Sequence, residues 1–180
     1  MKIVIVGPGA MGCLLAAFFS RPSANGRQNK EEIWILDYNK ERAARIAQAG
    51  IAIEGVTGAW QVKVRATHDI KDIGSADLLI ICVKSYDTKT AITHAKALVK
   101  NNTSVLTLQN GIGNIEIISE LVGNERVIGG ITNLGVTLLD VGRARHAGKG
   151  ETVIGRIDAK ITAEMRSIRE LFNRAGLEMR

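Results

Sequence analysis

The sequence predicts an α/β fold of the Rossmann type, with a doubly wound, mostly parallel sheet. Three observations lead to this prediction. An apolar, β-branched run over residues 2–6 is typical of a buried strand, a glycine-rich turn follows it at once, and further apolar runs alternate with helical patterns. At 180 residues the chain is long enough for a single domain with its own core, which we assign to residues 1–180.

The turn after the first strand has the spacing of a dinucleotide-binding motif. Its six residues are Gly7, Pro8, Gly9, Ala10, Met11 and Gly12, and an apolar helix is predicted over 13–19. The first glycine of such a motif permits the tight turn, the second lets the backbone approach the pyrophosphate, and the third lets helix and strand pack closely. The helix N-terminus offers unpaired N–H groups to the anion. We therefore predict that these six residues bind a dinucleotide.

The motif also predicts an acidic residue at the end of the second strand, which is expected over 33–36 after a polar connection over 21–32. Asp37 stands at that position. A carboxylate there binds a free ribose 2′-hydroxyl and repels a 2′-phosphate, so Asp37 favours NAD(H) over NADP(H). Lys40 and Arg42 lie close enough in sequence to weaken that preference. The alternative, compatible with the first, is that Asp37 caps a helix beginning near Asn39.

The rest of the chain continues the alternation. Helices are predicted over 40–49, 88–99, 115–121 and 159–175, and strands over 51–54, 60–64, 78–83, 104–108 and 127–130, with 51–54 and 60–64 forming a hairpin. Short strands over 136–139, 143–147 and 152–154 are expected to form an antiparallel extension. The last helix is expected to turn five side chains inward: Ile161, Met165, Ile168, Leu171 and Phe172. Residues 176–180 are interpreted as the start of a further strand or a linker.

Composition narrows the classes of function. The net charge of +6 is dispersed and not interleaved with aromatic residues, which argues against nucleic acid and favours attraction of small anions. Three histidines and the lack of a CxxC pattern predict no metal site. Cys13 and Cys82 lie in apolar segments and are expected to be buried thiols. Without a signal peptide or an apolar run of membrane-spanning length, we expect a cytoplasmic protein with no membrane partner.

These motifs together resemble the N-terminal domain of ketopantoate reductase (2-dehydropantoate 2-reductase). The resemblance spans essentially the whole chain. It is carried by the glycine motif over 7–12, by Val83-Lys84, by the turn over 109–113, and by His146-Ala147-Gly148 with the later segment 153–155. The resemblance implies reduction of a branched 2-keto acid to pantoate, on the route to pantothenate and coenzyme A, with NAD(P)H as the cofactor.

The resemblance also implies roles for individual residues. Lys84 stands where the family places a cation near the cofactor, and Asn110 matches an asparagine beside the nicotinamide and the substrate. Gly135 corresponds to a position whose backbone borders the nicotinamide. The alternatives are a solvated lysine at a strand end and an asparagine in a ligand-free turn. His146 is expected to be structural. Because the family typically prefers NADPH, the resemblance and Asp37 point to different cofactors.

In the family, the lysine that donates the proton lies at the entry to a helical C-terminal domain, which we expect to be absent from residues 1–180. We therefore expect the cofactor-binding part of an NAD(P)H-dependent oxidoreductase, which binds dinucleotide but turns over poorly alone. Surface that would face the second domain is expected to promote a homo-oligomer. Two other interpretations stay open: a related hydroxyacid, 6-phosphogluconate or glycerol-3-phosphate dehydrogenase, and a non-catalytic dinucleotide-binding module.

Overall fold

The computed structural model describes residues 1–22 and 30–180. In chain order the elements are β1 (Lys2–Val6), α1 (Ala10–Ser20), β2 (Glu32–Leu36), α2 (Lys40–Ala49), β3 (Ile51–Gly55), β4 (Trp60–Val62), β5 (Arg65–Thr67), β6 (Ala76–Ile81), α3 (Thr88–Ala95), β7 (Val99–Thr107), α4 (Asn114–Val122), β8 (Val127–Thr132), β9 (Gly135–Asp140), β10 (Arg143–Gly148), β11 (Thr152–Gly155) and α5 (Ala163–Ala175). The predicted polar connection over 21–32 includes residues 23–29, which lie outside the described part of the chain.

The main sheet confirms the predicted fold class. Its described strands run in the order β11-β8-β7-β6-β1-β2-β5. All neighbouring pairs are parallel except β8 with β11. The chain winds outward from β1 in both directions, which is the doubly wound arrangement. Because helices cover both faces, β1 is apolar throughout its centre, and Ile3, Val4 and Ile5 are fully buried.

A second sheet of four described strands, β4-β3-β10-β9, packs on the other side of α1. The predicted hairpin of β3 and β4 is confirmed, and β9 pairs antiparallel with β10. The predicted antiparallel extension is therefore divided between two sheets. Only β11 extends the main sheet, whereas β10 pairs in parallel with β3.

Helix α1 lies between the two sheets, and this placement explains its composition. Every residue from Gly12 to Phe19 is buried, and the helix carries no charged residue. A helix that is apolar all round is one that is covered all round. Its side chains join the two sheets in one core, which includes Ile5 from β1, Ile53 from β3 and Ala144 from β10.

Several elements differ from the prediction in their bounds. Helix α1 begins at Ala10 rather than residue 13, so most of the glycine motif lies in its first turn. Helix α5 begins at Ala163, capped by the Thr162 hydroxyl, and the prediction that Ile161 faces the core is wrong because Ile161 precedes the helix and is 71% exposed. Strand β5 was not predicted. Residues 176–180, where a further strand or a linker was expected, form no named strand, but Met179 makes an isolated parallel bridge with Thr152.

No helix in the described residues is both long and apolar enough to cross a bilayer.

His146 is structural, as expected, and is buried behind α1 rather than in a cleft. Its ring packs edge-on against Phe18, and Nδ1 lies 3.2 Å from the Thr57 hydroxyl. Nε2 has no hydrogen-bond partner within residues 1–22 and 30–180. Desolvation, which outweighs a hydrogen bond involving the Gly148 backbone, lowers the pKa of His146, and the charge of Lys149 acts in the same direction.

We expect the pH dependence of stability to report this buried imidazole. The unfolded histidine titrates near about 6.5 and the folded one lower, so the unfolded chain binds the proton first. The free energy of unfolding therefore keeps the full contribution of the neutral His146 ring above about pH 6.5, and it declines as the pH falls below that value. Urea unfolding midpoints at several pH values should show this loss in the wild type and a smaller one in His146→Gln. His94→Gln, at an exposed position, is the matched control and should behave as wild type. Equal acid sensitivity in wild type and His146→Gln would contradict the assignment.

Candidate functional site

A cleft of about 560 Å³ opens at the carboxyl ends of β1, β6 and β7. This is where ligands bind in open parallel sheets. Seven of the predicted site residues line it: Gly7, Pro8, Gly9, Ala10, Met11, Lys84 and Asn110. Gly12 lies buried just behind the loop, and Leu134 and Val136, on either side of Gly135, line the far wall. The sequence therefore identified the glycine loop and two further positions, seven of the 21 residues that line this cleft.

Two of the three motif glycines are required by the fold itself. Gly7 has a φ of 96°, and a Cβ there would lie 2.6 Å from Cγ1 of Val83 on the neighbouring strand end. A Cβ on Gly12 would lie 2.1 Å from the carbonyl oxygen of Gly7. A side chain at Gly7 would push the loop away from the end of β6, and one at Gly12 would force α1 away from the end of β1.

Gly9 differs from these two, because its surroundings leave room. A Cβ at this position would meet nothing closer than the Cys82 carbonyl oxygen at 3.7 Å, and its φ of −72° suits any residue. Neither packing nor conformation requires glycine here. The residue instead faces the cleft, where a side chain would occupy the space that a ligand needs to approach the backbone.

The N-terminus of α1 is free to bind an anion. Gly9 is the N-cap and offers no side-chain hydrogen bond, and the first turn contains no acidic residue. The N–H groups of Ala10, Met11 and Gly12 precede the first intrahelical donor, Cys13, whose N–H donates to the Gly9 oxygen. Unpaired donors and the positive end of the helix dipole fit a pyrophosphate. The residues present therefore fit the dinucleotide that the motif predicts.

The turn that carries Asn110 is held from beneath by Asn114. The Asn114 side-chain nitrogen donates to the carbonyl oxygens of Asn110 and Gly111, each at 3.2 Å. Gly111 has a φ of 102°, so the tight turn needs glycine at this position. The side-chain amide of Asn110 is exposed to the cleft and makes no hydrogen bond within the described residues. It is available to a ligand.

Asn114 is itself fixed by a chain of buried hydrogen bonds. The Thr88 hydroxyl, fully buried at the start of α3, donates to Asn114 Oδ1 at 2.8 Å. The Gln109 amide donates to that hydroxyl at 2.9 Å and to the Val83 carbonyl at 2.8 Å. The chain therefore connects the end of β7 with the strand end before Lys84, and it positions the two predicted residues relative to each other.

Lys84 follows β6 and is exposed in the cleft, where it begins a short 3-10 turn over Ser85–Asp87. No ion pair to it is found within the described residues. Tyr86 and Asp87 line the same wall, with Tyr86 82% exposed. An unpaired lysine beside a helix N-terminus gives the cleft a positive field suited to phosphates.

Asp37, like Gly12 and Gly135, is a predicted site residue that does not line the cleft. It is 1% exposed, and its carboxylate accepts hydrogen bonds from the side chain of Arg42 and from the Asn39 N–H at 3.1 Å. The helix-cap alternative is wrong, because the N-cap of α2 is Asn39, whose own side chain accepts from the Arg42 N–H at 2.9 Å. Arg42, in contrast, does line the cleft.

The two thiols lie beneath the glycine loop. Cys13 is buried and donates to the Pro8 carbonyl at 3.3 Å. Cys82 lines the cleft and for that reason is only partly buried. It is therefore less buried than expected. Desolvation raises the pKa of each thiol to about 12, which leaves both protonated. Among the described residues, no group of three His, Cys, Asp or Glu side chains is arranged to hold a metal ion.

Sequence reasoning missed the supporting residues of the site. Thr88 and Asn114 carry no motif of their own, and only the folded turn shows that they support Asn110. Tyr38 and Tyr86 line the cleft as exposed aromatic residues, and each lies within five residues of a strand end.

The family model described as Ketopantoate reductase PanE/ApbA matches residues 3–159. The 2-dehydropantoate 2-reductases of Halobacterium salinarum and Pyrococcus horikoshii are 34% and 38% identical to this chain over 99% of its length. The chain spans about half the length of these curated relatives, 56% and 55% respectively.

Solved structures show the same likeness. The crystal structure of 2-dehydropantoate 2-reductase from Geobacter metallireducens superimposes with a TM-score of 0.88 at 28% identity, covering 100% of this chain and 57% of that one. A ternary structure of D-mandelate dehydrogenase with NADH shares the fold, with a TM-score of 0.86 at 23% identity over 100% of this chain and 56% of that one.

The difference between Gly9 and Gly12 gives a test of the loop. Gly9→Ala should keep the stability of the wild type and lose dinucleotide affinity, because its methyl group fits the empty cleft but blocks the pyrophosphate. Gly12→Ala should instead unfold more easily, by about 1–3 kcal/mol, because its methyl group overlaps the Gly7 carbonyl. Urea unfolding and nicotinamide fluorescence titration measure the two effects. Unchanged affinity in Gly9→Ala would contradict binding at this loop.

The hydrogen-bonded chain under Asn110 gives a second test. Thr88→Val keeps the shape and removes the hydroxyl, so Asn114 loses a donor; the free energy of unfolding should fall by about 1–3 kcal/mol. Dinucleotide binding should weaken as well, because the turn over 109–111 loses its support. Thr90→Val, at an exposed position of the same helix, is the matched control and should change neither quantity. If Thr88→Val binds as the wild type does, the hydrogen-bonded chain does not position the site.

Proposed function

Because the chain belongs to the Ketopantoate reductase PanE/ApbA family, we propose that it holds NAD(P)H for the reduction of a 2-keto acid, as a 2-dehydropantoate 2-reductase would. The curated relatives are nearly twice as long, so the activity of the whole enzyme is part of this proposal. One observation carries it. The free N-terminus of α1 and the exposed amide of Asn110 face the same cleft, although they lie about a hundred residues apart in sequence.

The reaction needs a hydride donor held against a carbonyl carbon, and a proton for the alkoxide that forms on the carbonyl oxygen. When bound, the reduced nicotinamide supplies the hydride. The chain's own residues supply position: the loop over 7–12 holds the pyrophosphate, and the wall at Leu134 and Val136 borders the other end of the cleft. A ketopantoate molecule receiving hydride and proton in this way becomes pantoate.

Asn110 is the residue we assign to the reacting end of the cleft. Its backbone is fixed through Asn114, while its side-chain amide is exposed and can both donate and accept a hydrogen bond. Such a group can orient a nicotinamide carboxamide or a substrate carbonyl. Lys84, after the neighbouring strand β6, offers a positive charge that suits a phosphate or a carboxylate.

We do not assign the proton donor to a residue of this cleft. Lys84 matches a cation that faces the cofactor in the family, which makes it a poor source of the proton for the substrate oxygen. The proposal is therefore a cofactor-binding part with little turnover of its own. The family match favours this function over a hydroxyacid, 6-phosphogluconate or glycerol-3-phosphate dehydrogenase.

Self-association stays a prediction. Ile131 on β8 and Val153 on β11 are paired directly across the two strands and are 75% and 48% exposed. An apolar pair of this kind on an outer part of the sheet supports association with a second copy.

The proposal predicts binding without efficient turnover. Residues 1–180 should bind a reduced dinucleotide saturably, as followed by nicotinamide fluorescence. Their reduction of ketopantoate should be slower than that of the Geobacter metallireducens enzyme by about 10²–10⁴-fold, the usual contribution of a general acid or base. Both proteins are assayed side by side by loss of nicotinamide absorbance, and dihydroxyacetone phosphate serves as the control substrate. Comparable rates with ketopantoate would contradict the missing proton donor, and no dinucleotide binding would contradict the function itself.

A further inference from the structure

The Asn110-Gly111 pair has a sequence and surroundings that favour the loss of ammonia from an asparagine side chain. The sequence contains two Asn-Gly pairs, and this one lies within the described residues. In such a pair the backbone nitrogen of the glycine can attack Cγ of the asparagine, because the glycine has no Cβ to stand in the way. The Asn110 side chain is exposed in the cleft and makes no hydrogen bond within residues 1–22 and 30–180. It is therefore free to turn toward that nitrogen.

The attacking nitrogen of Gly111 is also unhindered. Its N–H donates no hydrogen bond within the described part of the chain. The space around the residue is open, because a Cβ there would meet nothing closer than the side chains of Asn114 and Ser85 at 3.8 Å. A five-membered ring closing between Asn110 and Gly111 therefore has room to form.

Asn114 activates this nitrogen through the carbonyl group next to it. Its side-chain amide donates to the Asn110 carbonyl oxygen at 3.2 Å, and that oxygen belongs to the same peptide group as the Gly111 nitrogen. Because the two atoms share one delocalised system, a donor on the oxygen draws electron density from the nitrogen and makes its proton easier to remove. The Thr88 hydroxyl holds the donor in place by donating to Asn114 Oδ1 at 2.8 Å. The hydrogen-bonded chain that supports the turn thus also promotes attack by Gly111.

We propose that Asn110 is a site of spontaneous deamidation promoted by Asn114, and that the carboxylate formed there weakens dinucleotide binding. Solvent hydroxide removes the Gly111 amide proton, and the nitrogen forms a bond to Cγ of Asn110. The Cγ–Nδ2 bond breaks as Nδ2 takes a proton from water and leaves as ammonia. Water then opens the cyclic imide at either carbonyl, which yields aspartate or an isoaspartate whose backbone runs through the former side chain. One water is consumed and one ammonia is released, with no oxidant or reductant.

Both products change the cleft. Each places a negative charge beside Lys84 and opposes the positive field that suits an anionic dinucleotide. The isoaspartate form also lengthens the backbone of the turn. The modification itself needs no ligand, so only its effect on binding rests on the proposed function.

The test incubates folded residues 1–180 at mildly alkaline pH and follows the Asn, Asp and isoaspartate forms by peptide mapping with mass spectrometry. The wild type should convert Asn110 to both products. Asn114→Ala should slow this conversion by about tenfold, because the net worth of one hydrogen bond is lost. Thr88→Val keeps the donor but loosens it, and it should slow the conversion by less. Thr90→Val, at an exposed position of the same helix, is the matched control and should convert as the wild type does.

The other Asn-Gly pair, Asn25-Gly26, lies outside the described residues and reports the same chemistry in the same sample. Its rate should be equal in all four proteins. Urea unfolding checks that Asn114→Ala folds, and Thr88→Val decides the question if it does not. An Asn110 that stays intact throughout, or one that converts at the wild-type rate in Thr88→Val and in any folded Asn114→Ala, would overturn the inference.

The effect on binding is measured with Asn110→Asp, which is one of the two products. It should bind reduced dinucleotide about tenfold or more weakly than the wild type, as followed by nicotinamide fluorescence. Equal affinity would overturn this part of the inference. If the wild type binds no dinucleotide, the proposed function fails, while the mass measurement still decides whether Asn110 is modified.

Discussion

The contact between Gly12 and the carbonyl oxygen of Gly7 is the constraint on which the rest of the site depends. Strand β1 is at the middle of the main sheet and α1 is covered on all sides, so neither element can move to relieve a clash there. A single Cβ at position 12 would fall 2.1 Å from the oxygen. The close approach places the first turn of α1 at the sheet edge, and its unpaired N–H groups reach the cleft for that reason.

The opposite wall of the cleft is fixed by polar contacts rather than by close packing. Gln109, Thr88 and Asn114 form a buried hydrogen-bonded chain that ends on the backbone of the Asn110 turn. Each of these side chains forms a hydrogen bond with the next, so that little desolvation cost remains uncompensated. Substitution of any one of them would leave a polar neighbour without its partner. One wall therefore offers rigid backbone donors and the other a rigid turn with a free amide. A ligand that spans both walls must be long and anionic at the α1 end.

Two buried polar groups, Asp37 and His146, differ in their interaction partners and in their distance from the cleft. Asp37 is buried with its charge matched by Arg42, and the pair sits where a ligand meets it. His146 is buried with Nε2 unpaired within the described residues, and it lies behind α1 against Phe18. The first arrangement is compatible with a permanent charge. The second favours the neutral ring, and it affects the stability of the fold rather than its ligand.

The amino-acid sequence by itself determined the order of most elements, the glycine loop and two further cleft-lining residues, Lys84 and Asn110. These depend on local spacing, on burial of apolar runs and on motifs. Tertiary structure alone decided the rest. The three-residue strand β5 forms because β2 offers it an edge, and β10 joins β3 rather than the main sheet. Ile161 stays exposed because α5 starts only after it. The sequence places Arg42 close to Asp37, but only the first turn of α2 brings the guanidinium onto both carboxylate oxygens, because hydrogen-bond geometry is set in space and not along the chain.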